Sequence, residues 1–336
     1  MFSELKVVHE KWPLATPFRI SRGVKTVADV VVVEIIAGSA RGRGEGIPYP
    51  RYGETVESVL AQVRGMAPAI ANGLTREALQ EAMPPGAARN AIDCALWDLS
   101  AAQTGRSVTS QLGKGPLAGL VTALTIGIDT PEVMHDNAVR LHDAAVIKVK
   151  VDANDPAAQL RAVRAGAPQA RLIVDANEGW NLTILQAMQP TLVATRVELL
   201  EQPLPASQDA ALEGFAPAVP ICADESCHVA ADLPKLRTRY QAVNIKLDKT
   251  GGLTGALELL EKARAAGLRV MCGCMVSTSL GIAPAFHIAR HADFIDLDGP
   301  LWLTSDREHG VRVEKGKLLP PSDAVWGGGE SDTPSR

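Results

Sequence analysis

The sequence predicts an α/β fold in which a parallel barrel follows an N-terminal α+β domain. After about residue 118, short apolar runs of four to six residues alternate with amphipathic segments of ten to fifteen, a pattern typical of parallel β/α units. Eight such runs occur in about 180 residues, which indicates a closed barrel of the (β/α)8 type. Strand-like segments followed by helical ones precede them, and this order predicts a separate α+β domain.

The first domain, residues 1–117, is predicted to begin with two antiparallel strands. Strand-like runs extend from Glu4 to Trp12 and from Val27 to Ile36. A loop from Phe18 to Thr26, which carries Gly, Arg and Lys, is predicted to join them. These segments together indicate a small antiparallel meander.

Helical periodicity fills the rest of the first domain. Apolar residues recur at helical spacing from Val56 to Ala82 and again from Ala87 to Gln103. Pro84-Pro85-Gly86 separates the two segments, since neither proline nor glycine favours a continuous helix. Two helical regions are therefore expected after the strands.

The barrel is predicted over residues 118–299. A segment at 300–326 is expected to return to the first domain through a strand pair at Val311–Leu319, and residues 327–336 are expected to form a polar, disordered tail. The predicted barrel strands are Val121–Ile126, Val146–Val149, Leu172–Val174, Val197–Leu200, Val219–Cys222, Ala242–Leu247, Leu268–Cys272 and Phe294–Leu297.

Composition excludes several classes of partner. The 336 residues are 46% hydrophobic and 21% charged with a net charge of -4, and no basic run interleaved with aromatics suggests nucleic-acid binding. The N-terminus lacks an apolar core of signal-peptide length, and no apolar stretch reaches about 18 residues. A cytoplasmic protein with no membrane partner is expected. The sequence leaves open whether the protein forms a homo-oligomer.

A charged residue lies at the C-terminal end of almost every predicted barrel strand. In a β/α barrel the active site lies at these strand ends. Successive charges from residue 150 to residue 246 are 22 to 26 residues apart, about one β/α unit. Because residues two apart share a face of a strand, Lys148 lies beside Lys150 and Asp296 beside Asp298. The charged set is Lys148, Lys150, Asp175, Glu201, Asp224, Lys246, Asp296 and Asp298.

Three carboxylates on consecutive strands, Asp175, Glu201 and Asp224, predict a metal site. Oxygen ligands without His or Cys favour magnesium or manganese over zinc. A single carboxylate at a strand end is more often a cap or an ion-pair partner, but three neighbours would repel one another without a cation. One divalent ion per subunit is expected.

Lys150 and Lys246 lie on the second and sixth predicted strands, on opposite sides of the barrel mouth. A substrate held on the metal would lie between them. Nearby cations, including Lys148, and burial would lower the pKa of Lys150 and allow it to act as a base. The alternative is that these lysines only neutralise the carboxylates.

The segments KVK, VDANEGW, EQPLP, CADES and NIKLDKTGGL, in this order, resemble those of the enolase superfamily, muconate-lactonizing subgroup, and within it the dipeptide epimerases. The resemblance covers nearly the whole chain. It implies a capping α+β domain, a (β/α)7β TIM-like barrel, magnesium on Asp175, Glu201 and Asp224, and acid/base lysines at Lys150 and Lys246.

The resemblance also implies a substrate. In DLDGPLWL, Asp296 and Asp298 match the acidic pair that binds the substrate's α-ammonium group in dipeptide epimerases. The alternative for Asp298 is a turn acid before Gly299. Arg22 is predicted to hold the distal carboxylate, because a guanidinium matches it with two hydrogen bonds, with Arg19 and Lys25 as rivals.

Three further candidates complete the predicted site. Lys148 and Thr125 are expected to contact substrate, and Asn177 is expected to support the metal ligands. One departure from the subgroup is Ser277 in GCMVSTS, where many members have a glutamate. A second capping loop, Tyr49 to Gly53, is expected to close over the barrel mouth and exclude water.

The expected activity is a magnesium-dependent epimerisation of a dipeptide at the carbon next to its carboxylate, with L-Ala-L-Glu converted to L-Ala-D-Glu in murein peptide recycling. Other activities of the subgroup remain open: cycloisomerase, N-acyl amino acid racemase, o-succinylbenzoate synthase or epimerase of another dipeptide. A lyase or aldolase with a Schiff-base lysine and a non-catalytic peptide-binding protein are more distant alternatives. The acidic pair argues against a sister activity, because it suits a free amino group.

Overall fold

The computed structural model describes residues 3–314 and 316–328. The expected tail therefore lies mostly outside the described residues. Its predicted start at residue 327 is wrong, because Trp326 is buried and the Gly327 amide donates to Asp98 Oδ1 at 2.6 Å. In the part of the chain that the structure describes, no helix is long and apolar enough to cross a membrane.

Strands and helices follow the predicted order. The strands are β1 Glu4–Ile20, β2 Gly23–Ala37, β3 Ala40–Gly46, β4 Leu124–Ile126, β5 Val146–Lys150, β6 Arg171–Asp175, β7 Val197–Glu201, β8 Ile221–Ala223, β9 Ala242–Ile245, β10 Arg269–Gly273, β11 Phe294–Asp296, β12 Arg312–Glu314 and β13 Lys317–Leu319. The α-helices are α1 Val56–Gly65, α2 Ala67–Ala71, α3 Arg76–Ala82, α4 Ala87–Thr104, α5 Val108–Gln111, α6 Pro131–Arg140, α7 Pro156–Gly166, α8 Leu182–Ala194, α9 Leu233–Leu236, α10 Leu247–Thr250, α11 Leu253–Ala265, α12 Ser279–Ile282 and α13 Phe286–Ala289.

The N-terminal hairpin is longer than the sequence indicates. β1 and β2 pair as far as Ile20 opposite Gly23, with an irregularity between Pro13 and Phe18. The predicted loop from Phe18 to Thr26 is therefore wrong, and only Ser21 and Arg22 turn the chain. Gly23, at φ 147°, closes this turn in a backbone conformation that glycine tolerates. The hairpin therefore carries Arg22 outward at its tip, towards the barrel.

β3, which the sequence pattern missed, pairs with β2 and packs against α4. Its alternate residues Gly42, Gly44 and Gly46 face the helix backbone, and a Cβ on any of them would overlap a carbonyl oxygen of Ala95, Ala91 or Ala87 respectively. Glycines two apart on a strand match alanines four apart on a helix because both repeats advance by about 6 to 7 Å. Close packing against α4, and not the β-propensity of its residues, explains why this segment forms a strand.

We expect Gly44→Ala to lower the free energy of unfolding by about 2–3 kcal/mol, because the added methyl forces α4 away from the sheet. The matched control is Gly65→Ala, since a Cβ at Gly65 meets nothing within 4 Å. That change should be neutral or should stabilise the protein by about 0.5–1 kcal/mol. Thermal unfolding measures both, and equal midpoints for the two variants would contradict the close packing.

The eight-stranded parallel sheet confirms the predicted barrel. β4 to β11 are neighbours in chain order, and the two ends meet where the Ala123 amide donates to the Ile295 carbonyl at 2.8 Å. The inner face has an apolar layer that fills the barrel below the charged residues. This layer consists of Ala123, Val146, Ile173, Leu199, Cys222, Ala242, Met271 and Phe294.

The C-terminal segment contains the predicted strand pair, β12 with β13, but the pair does not join the sheet of the first domain. Leu318 instead forms backbone hydrogen bonds with Leu120, just before the barrel. The chain contacts the first domain both before this pair, where the Thr304 amide donates to the Pro13 carbonyl at 2.8 Å, and after it, where the Trp326 indole donates to the Cys94 carbonyl at 3.0 Å. Backbone pairing at Leu120 explains the difference from the expectation.

Candidate active site

A cavity of about 480 Å³ lies between the barrel mouth and the loops of the first domain. Its volume suits a small organic molecule. Each predicted charged residue of the barrel lies two or four residues after a member of the apolar layer. Because alternate residues share a face of a strand, these charged residues lie on the inner face, above the apolar layer. The predicted residues that line the cavity are Arg22, Thr125, Lys148, Lys150, Asn177, Asp224, Lys246, Asp296 and Asp298. Asp175 and Glu201 are buried and contact Lys148.

Lys148 lies among three carboxylates. Its Nζ is 2.6 Å from Glu201 Oε2, 2.7 Å from Asp296 Oδ2 and 3.1 Å from Asp175 Oδ2. Burial alone would lower the pKa of Lys148, but the charges of Asp296, Glu201 and Asp175 raise it well above its usual value. Lys148 therefore keeps its positive charge. Its expected contact with substrate stays a prediction.

The other two lysines are each held by one predicted metal ligand. Lys150 Nζ donates to Asp175 Oδ2 at 2.6 Å, and Lys246 Nζ donates to Asp224 Oδ2 at 2.7 Å. Burial opposes the charged form of Lys246, yet Asp224 and Glu201 raise its pKa well above the usual value. A lysine in such a pair becomes a base only when another cation engages its carboxylate.

The donor set fits a hard divalent cation, and the charges favour one. Burial, followed by the charge of Asp175, raises the pKa of Glu201 to about 8, so the nearby lysines do not fully neutralise the carboxylates. Three oxygen donors on consecutive strands suit magnesium. Within residues 3–314 and 316–328, no three His, Cys, Asp or Glu side chains already form a metal cluster. Lysine ammonium groups lie between the acids and would have to move aside.

Polar residues around the carboxylates fix their orientation. The Asn177 amide and side chain donate to Asp175 at 2.8 and 3.2 Å, and Asn244 donates to Glu201 Oε1 at 2.7 Å. Lys249 donates to Asp224 Oδ1 at 2.6 Å. The sequence pattern pointed to Asn177 but missed Asn244 and Lys249, although Asn244 shares a strand face with Lys246.

Asp296 and Asp298 lie together at the last barrel strand. Asp298 accepts from the Thr125 amide at 2.8 Å and from the Trp302 indole at 3.3 Å. Burial and the charge of Asp296 raise the pKa of Asp298 to about 6. Asp296 uses Oδ2 for Lys148, whereas its buried Oδ1 has no hydrogen-bond partner among the described residues. That oxygen is a buried acceptor without a donor in the described part of the chain, on a residue that lines the cavity.

Arg22 reaches the cavity, but acidic residues already engage it. Its Nη2 is 2.7 Å from Glu225 Oε1, and its Nη1 donates to the Asn177 carbonyl at 2.8 Å. An Arg22 that holds a substrate carboxylate must therefore share its guanidinium with Glu225, which the sequence pattern did not single out. Lys25 also lines the cavity, with its Nζ 4.9 Å from the centre of the Tyr49 ring.

Arg51 and Glu178 join the second capping loop to the barrel. Arg51 Nε and Nη2 donate to the two oxygens of Glu178 at 2.6 and 2.7 Å. Glu178 follows β6 with a positive φ of 66°, and its side chain is only 8% exposed. A strained backbone that holds a bidentate ion pair at the cavity rim indicates a functional constraint.

We expect Glu178→Gln to raise KM about five- to tenfold, because the capping loop loses a charge-assisted contact worth roughly 1–1.5 kcal/mol. Steady-state kinetics measure the change. The control is Glu198→Gln, which breaks a similar bidentate pair with Arg171 at the opposite end of the barrel. It should leave KM unchanged, and equal effects in the two variants would argue against a role for the loop contact.

Ser277, at the position where many members of the subgroup carry a glutamate, is buried, and its hydroxyl lacks a partner among the described residues. A carboxylate comes instead from the first domain. Glu45 on β3 accepts from the Thr278 amide at 2.8 Å and from Arg307 Nη2 at 3.0 Å. This buried acid, which the sequence pattern missed, links the first domain to the start of α12.

Comparison with known proteins gives matches over most of the chain. Residues 2–113 match the family model of the mandelate racemase/muconate lactonizing enzyme N-terminal domain, and residues 133–325 match that of the enolase C-terminal domain-like family. The chain is 48% identical to the L-Ala-D/L-Glu epimerase of Escherichia coli over 94% of its length and 98% of that protein. It is 42% identical to the N-acetyl-D-glutamate racemase of a Pseudoalteromonas species, over 89% of its length and 95% of that protein.

Solved structures show the same likeness. An enolase family member from Agrobacterium tumefaciens, crystallised with sodium and L-Ala-L-Glu, is 47% identical and superposes with a TM-score of 0.95 over 97% of this chain and all of that one. A dipeptide epimerase from Enterococcus faecalis, complexed with Mg and L-Leu-L-Tyr, is 30% identical with a TM-score of 0.88, over 98% of this chain and 99% of that one.

Proposed function

The chain belongs to the mandelate racemase/muconate lactonizing enzyme family of the enolase superfamily, and from that premise we propose that it is a magnesium-dependent dipeptide epimerase. The proposed reaction converts L-Ala-L-Glu to L-Ala-D-Glu and serves the recycling of murein peptides. The relatives that it matches are epimerases and racemases, so the enzyme is an isomerase.

The observation that carries this proposal is the acidic pair at the last barrel strand. Asp296 Oδ1 is buried and unpaired among the described residues, and Asp298 lies two residues beyond it in the cavity wall. A buried acceptor without a donor is costly, and a substrate ammonium group would satisfy it. A dipeptide has a free amino terminus of this kind, whereas a lactone or a dicarboxylate does not.

The chain's own residues would perform the proton transfers. Lys150 and Lys246 line one cavity from the second and sixth barrel strands, so a substrate α-carbon between them meets one lysine on each face. One lysine removes the α-proton and the other returns a proton to the opposite face, which inverts the centre. Either lysine can begin, and the reaction is therefore reversible.

Asp175, Glu201 and Asp224 would hold the magnesium ion. When bound, the ion supplies a positive charge that holds the substrate carboxylate and stabilises the negative charge that develops as the proton leaves, as in other enolase-superfamily sites. The capping loops Tyr49–Gly53 and Ser21-Arg22 would exclude water. Arg22 would bind the distal carboxylate of glutamate.

N-acetylglutamate racemisation is the second candidate, because a relative with that name is 42% identical. Its substrate has the same distal carboxylate and the same acidic α-proton, but an acetyl group replaces the cationic end. Asp296 and Asp298 favour the dipeptide for that reason.

One experiment tests the proposal and separates the candidates. The purified protein is incubated with Mg²⁺ in deuterium oxide, with L-Ala-L-Glu or N-acetyl-L-glutamate, and the glutamate α-proton is followed by NMR. We expect exchange and inversion with the dipeptide. Turnover of the acetylated substrate alone would reject the dipeptide assignment, and no exchange with either would reject the proposed reaction for both.

The pH dependence of dipeptide binding should report Asp298. Its pKa of about 6 lies above the ordinary value near 3.8, so the carboxylate becomes neutral as the pH falls through about 6. We expect KM for L-Ala-L-Glu to rise about tenfold between pH 7 and pH 5, as the ammonium group loses one charged partner. Asp298→Asn should raise KM at pH 7 and remove this pH dependence. A wild-type dependence that persists in the variant would exclude Asp298 as its source.

A further inference from the structure

Trp302 contacts two residues of the cavity wall that belong to different domains. Its indole N–H donates to Asp298 Oδ2 at 3.3 Å, and its ring meets the ring of Phe18 edge to face. The two ring centres are 4.7 Å apart and the ring planes are at 82°. Asp298 follows the last barrel strand, whereas Phe18 lies on β1 of the first domain, and both line the cavity. One side chain therefore joins the acidic pair to the N-terminal hairpin.

The contact with Trp302 orients the carboxylate of Asp298. Oδ2 accepts from this indole and from the Thr125 amide at 2.8 Å, and both of these groups can only donate. In the described part of the chain no hydrogen bond engages the other oxygen, Oδ1, although the residue is only 7% exposed. Two donors on one oxygen restrict rotation of the carboxylate and leave Oδ1 as an acceptor for a further group.

The segment that carries Trp302 is also fastened to the first domain by its backbone. The next residue, Leu303, is buried and forms an isolated antiparallel β-bridge with Leu14. Leu14 lies in the irregular part of β1 between Pro13 and Phe18, where the regular pairing with β2 is interrupted. Leu14 therefore pairs with the segment after the barrel, and this pairing holds Trp302 against the hairpin.

Phe18 extends the contact to one of the proposed acid/base lysines. Its ring centre is 6.0 Å from Lys150 Nζ, at the outer limit of a cation–π interaction. A ring that Trp302 meets edge to face cannot tilt freely, so it gives the cavity a fixed apolar wall beside Lys150. Movement of the Trp302 ring would therefore change both the acidic end of the cavity and the wall beside this lysine.

Building on the function proposed above, we propose that Trp302 is a positioning residue that sets the preference for a substrate with a free amino group. Its N–H holds Asp298 with one oxygen free for the ammonium group, and its ring ties that acid to Phe18 on the hairpin. The subsite for the amino end is then complete only while the hairpin is seated on the barrel. Loss of the indole N–H should weaken selection for the ammonium group more than it weakens binding in general.

Two ligands that differ only in the amino group test this role. L-Ala-L-Glu carries the ammonium group, and N-propionyl-L-glutamate is the same molecule without it. For each variant, the KM of the dipeptide is compared with the inhibition constant of the propionyl compound against it, both with Mg²⁺. In Trp302→Phe, which keeps a ring against Phe18, the dipeptide KM should rise about fivefold, while kcat and the inhibition constant stay near those of wild type.

The matched control is Trp97→Phe, which also removes an indole N–H, one that donates to Thr254 Oγ1 at 3.0 Å between α4 and α11. It should leave both constants unchanged. An equal rise of both constants in Trp302→Phe would leave Trp302 only a general structural role and overturn the proposal. Two unchanged constants in that variant would overturn it as well.

A second variant tests the connection to the hairpin with the indole N–H intact. Phe18→Leu removes the ring that Trp302 contacts, and the ratio of the inhibition constant to the dipeptide KM should fall about threefold. Adding Trp302→Phe to it should lower this ratio by less than about a further twofold, because the indole is no longer held. A further fall of about fivefold would show that the two contacts act independently and would overturn the connection. Failure of wild type to exchange the α-proton of L-Ala-L-Glu would instead reject the proposed function, so the two failures are distinguishable.

Discussion

Lys150→Ala should abolish epimerisation, with a fall of at least about 10³-fold in kcat, but it should leave α-proton exchange in one epimer. Without Lys150, only Lys246 can reach the α-carbon, and it returns deuterium to the face from which it took the proton. Exchange without inversion is then expected from the epimer that faces Lys246. Lys246→Ala should give the converse result with the other epimer. NMR in deuterium oxide records both.

Two further variants distinguish chemistry from stability. Lys150 neutralises Asp175, so its removal could disturb the fold. Lys150→Arg keeps a cation beside Asp175 but cannot act as a base, because a guanidinium stays protonated. It should be as inactive as Lys150→Ala while its thermal midpoint stays near that of wild type. Lys262→Ala, which breaks an exposed pair with Glu258 on α11, should remain fully active.

Retention of both exchange and inversion in Lys150→Ala would show that the lysines only neutralise the carboxylates, which is the alternative that the sequence leaves open. Loss of all exchange from both epimers, with the fold intact, would place Lys150 in binding and not in proton transfer. Each result therefore assigns the lysine pair to one of three roles.

The barrel could be predicted from the sequence because its signal is local. Every barrel strand is a short run rich in apolar residues, and six of the eight runs, all but β4 and β10, end near a charged residue that the structure places at one mouth. β3 could not be predicted in this way, because its glycines are selected by contact with α4. Such contact depends on a helix 40 to 55 residues later and leaves no β-propensity to detect.

The surroundings of the site were less predictable than its charged centre. Glu225 and Glu178 pair with Arg22 from positions about 200 and 156 residues away, and no local pattern connects them. Glu45 and Lys249 are likewise ordinary charged residues in the sequence, and only burial shows that they organise the interior. Polar networks are fixed by the tertiary structure, so their partners are visible only once the elements are assembled.

Chelation of divalent ions should abolish the activity of wild type reversibly. Glu201→Gln should abolish activity in a way that added Mg²⁺ does not restore. We expect EDTA to reduce turnover at least about 10³-fold and Mg²⁺ to restore it in wild type, because the metal charge stabilises the transition state. In Glu201→Gln, Mg²⁺ should bind at least about 100-fold more weakly, since one of three anionic ligands is lost. Isothermal titration calorimetry measures the affinity independently of turnover.

The thermal stability of Glu201→Gln should differ from that of wild type only when Mg²⁺ is present. Burial and the charge of Asp175 oppose ionisation of Glu201 and raise its pKa, so loss of its charge should cost the metal-free protein little, and glutamine keeps a similar shape and an oxygen that can accept from Asn244. The thermal midpoint without metal should therefore match that of wild type, while the increase that Mg²⁺ produces in wild type should disappear. Glu213→Gln, at an exposed acid beside Arg239, should keep the full increase. If Mg²⁺ raised the thermal midpoint of Glu201→Gln as much as that of wild type, Glu201 would not be a metal ligand, and only Asp175 and Asp224 would remain of the proposed three.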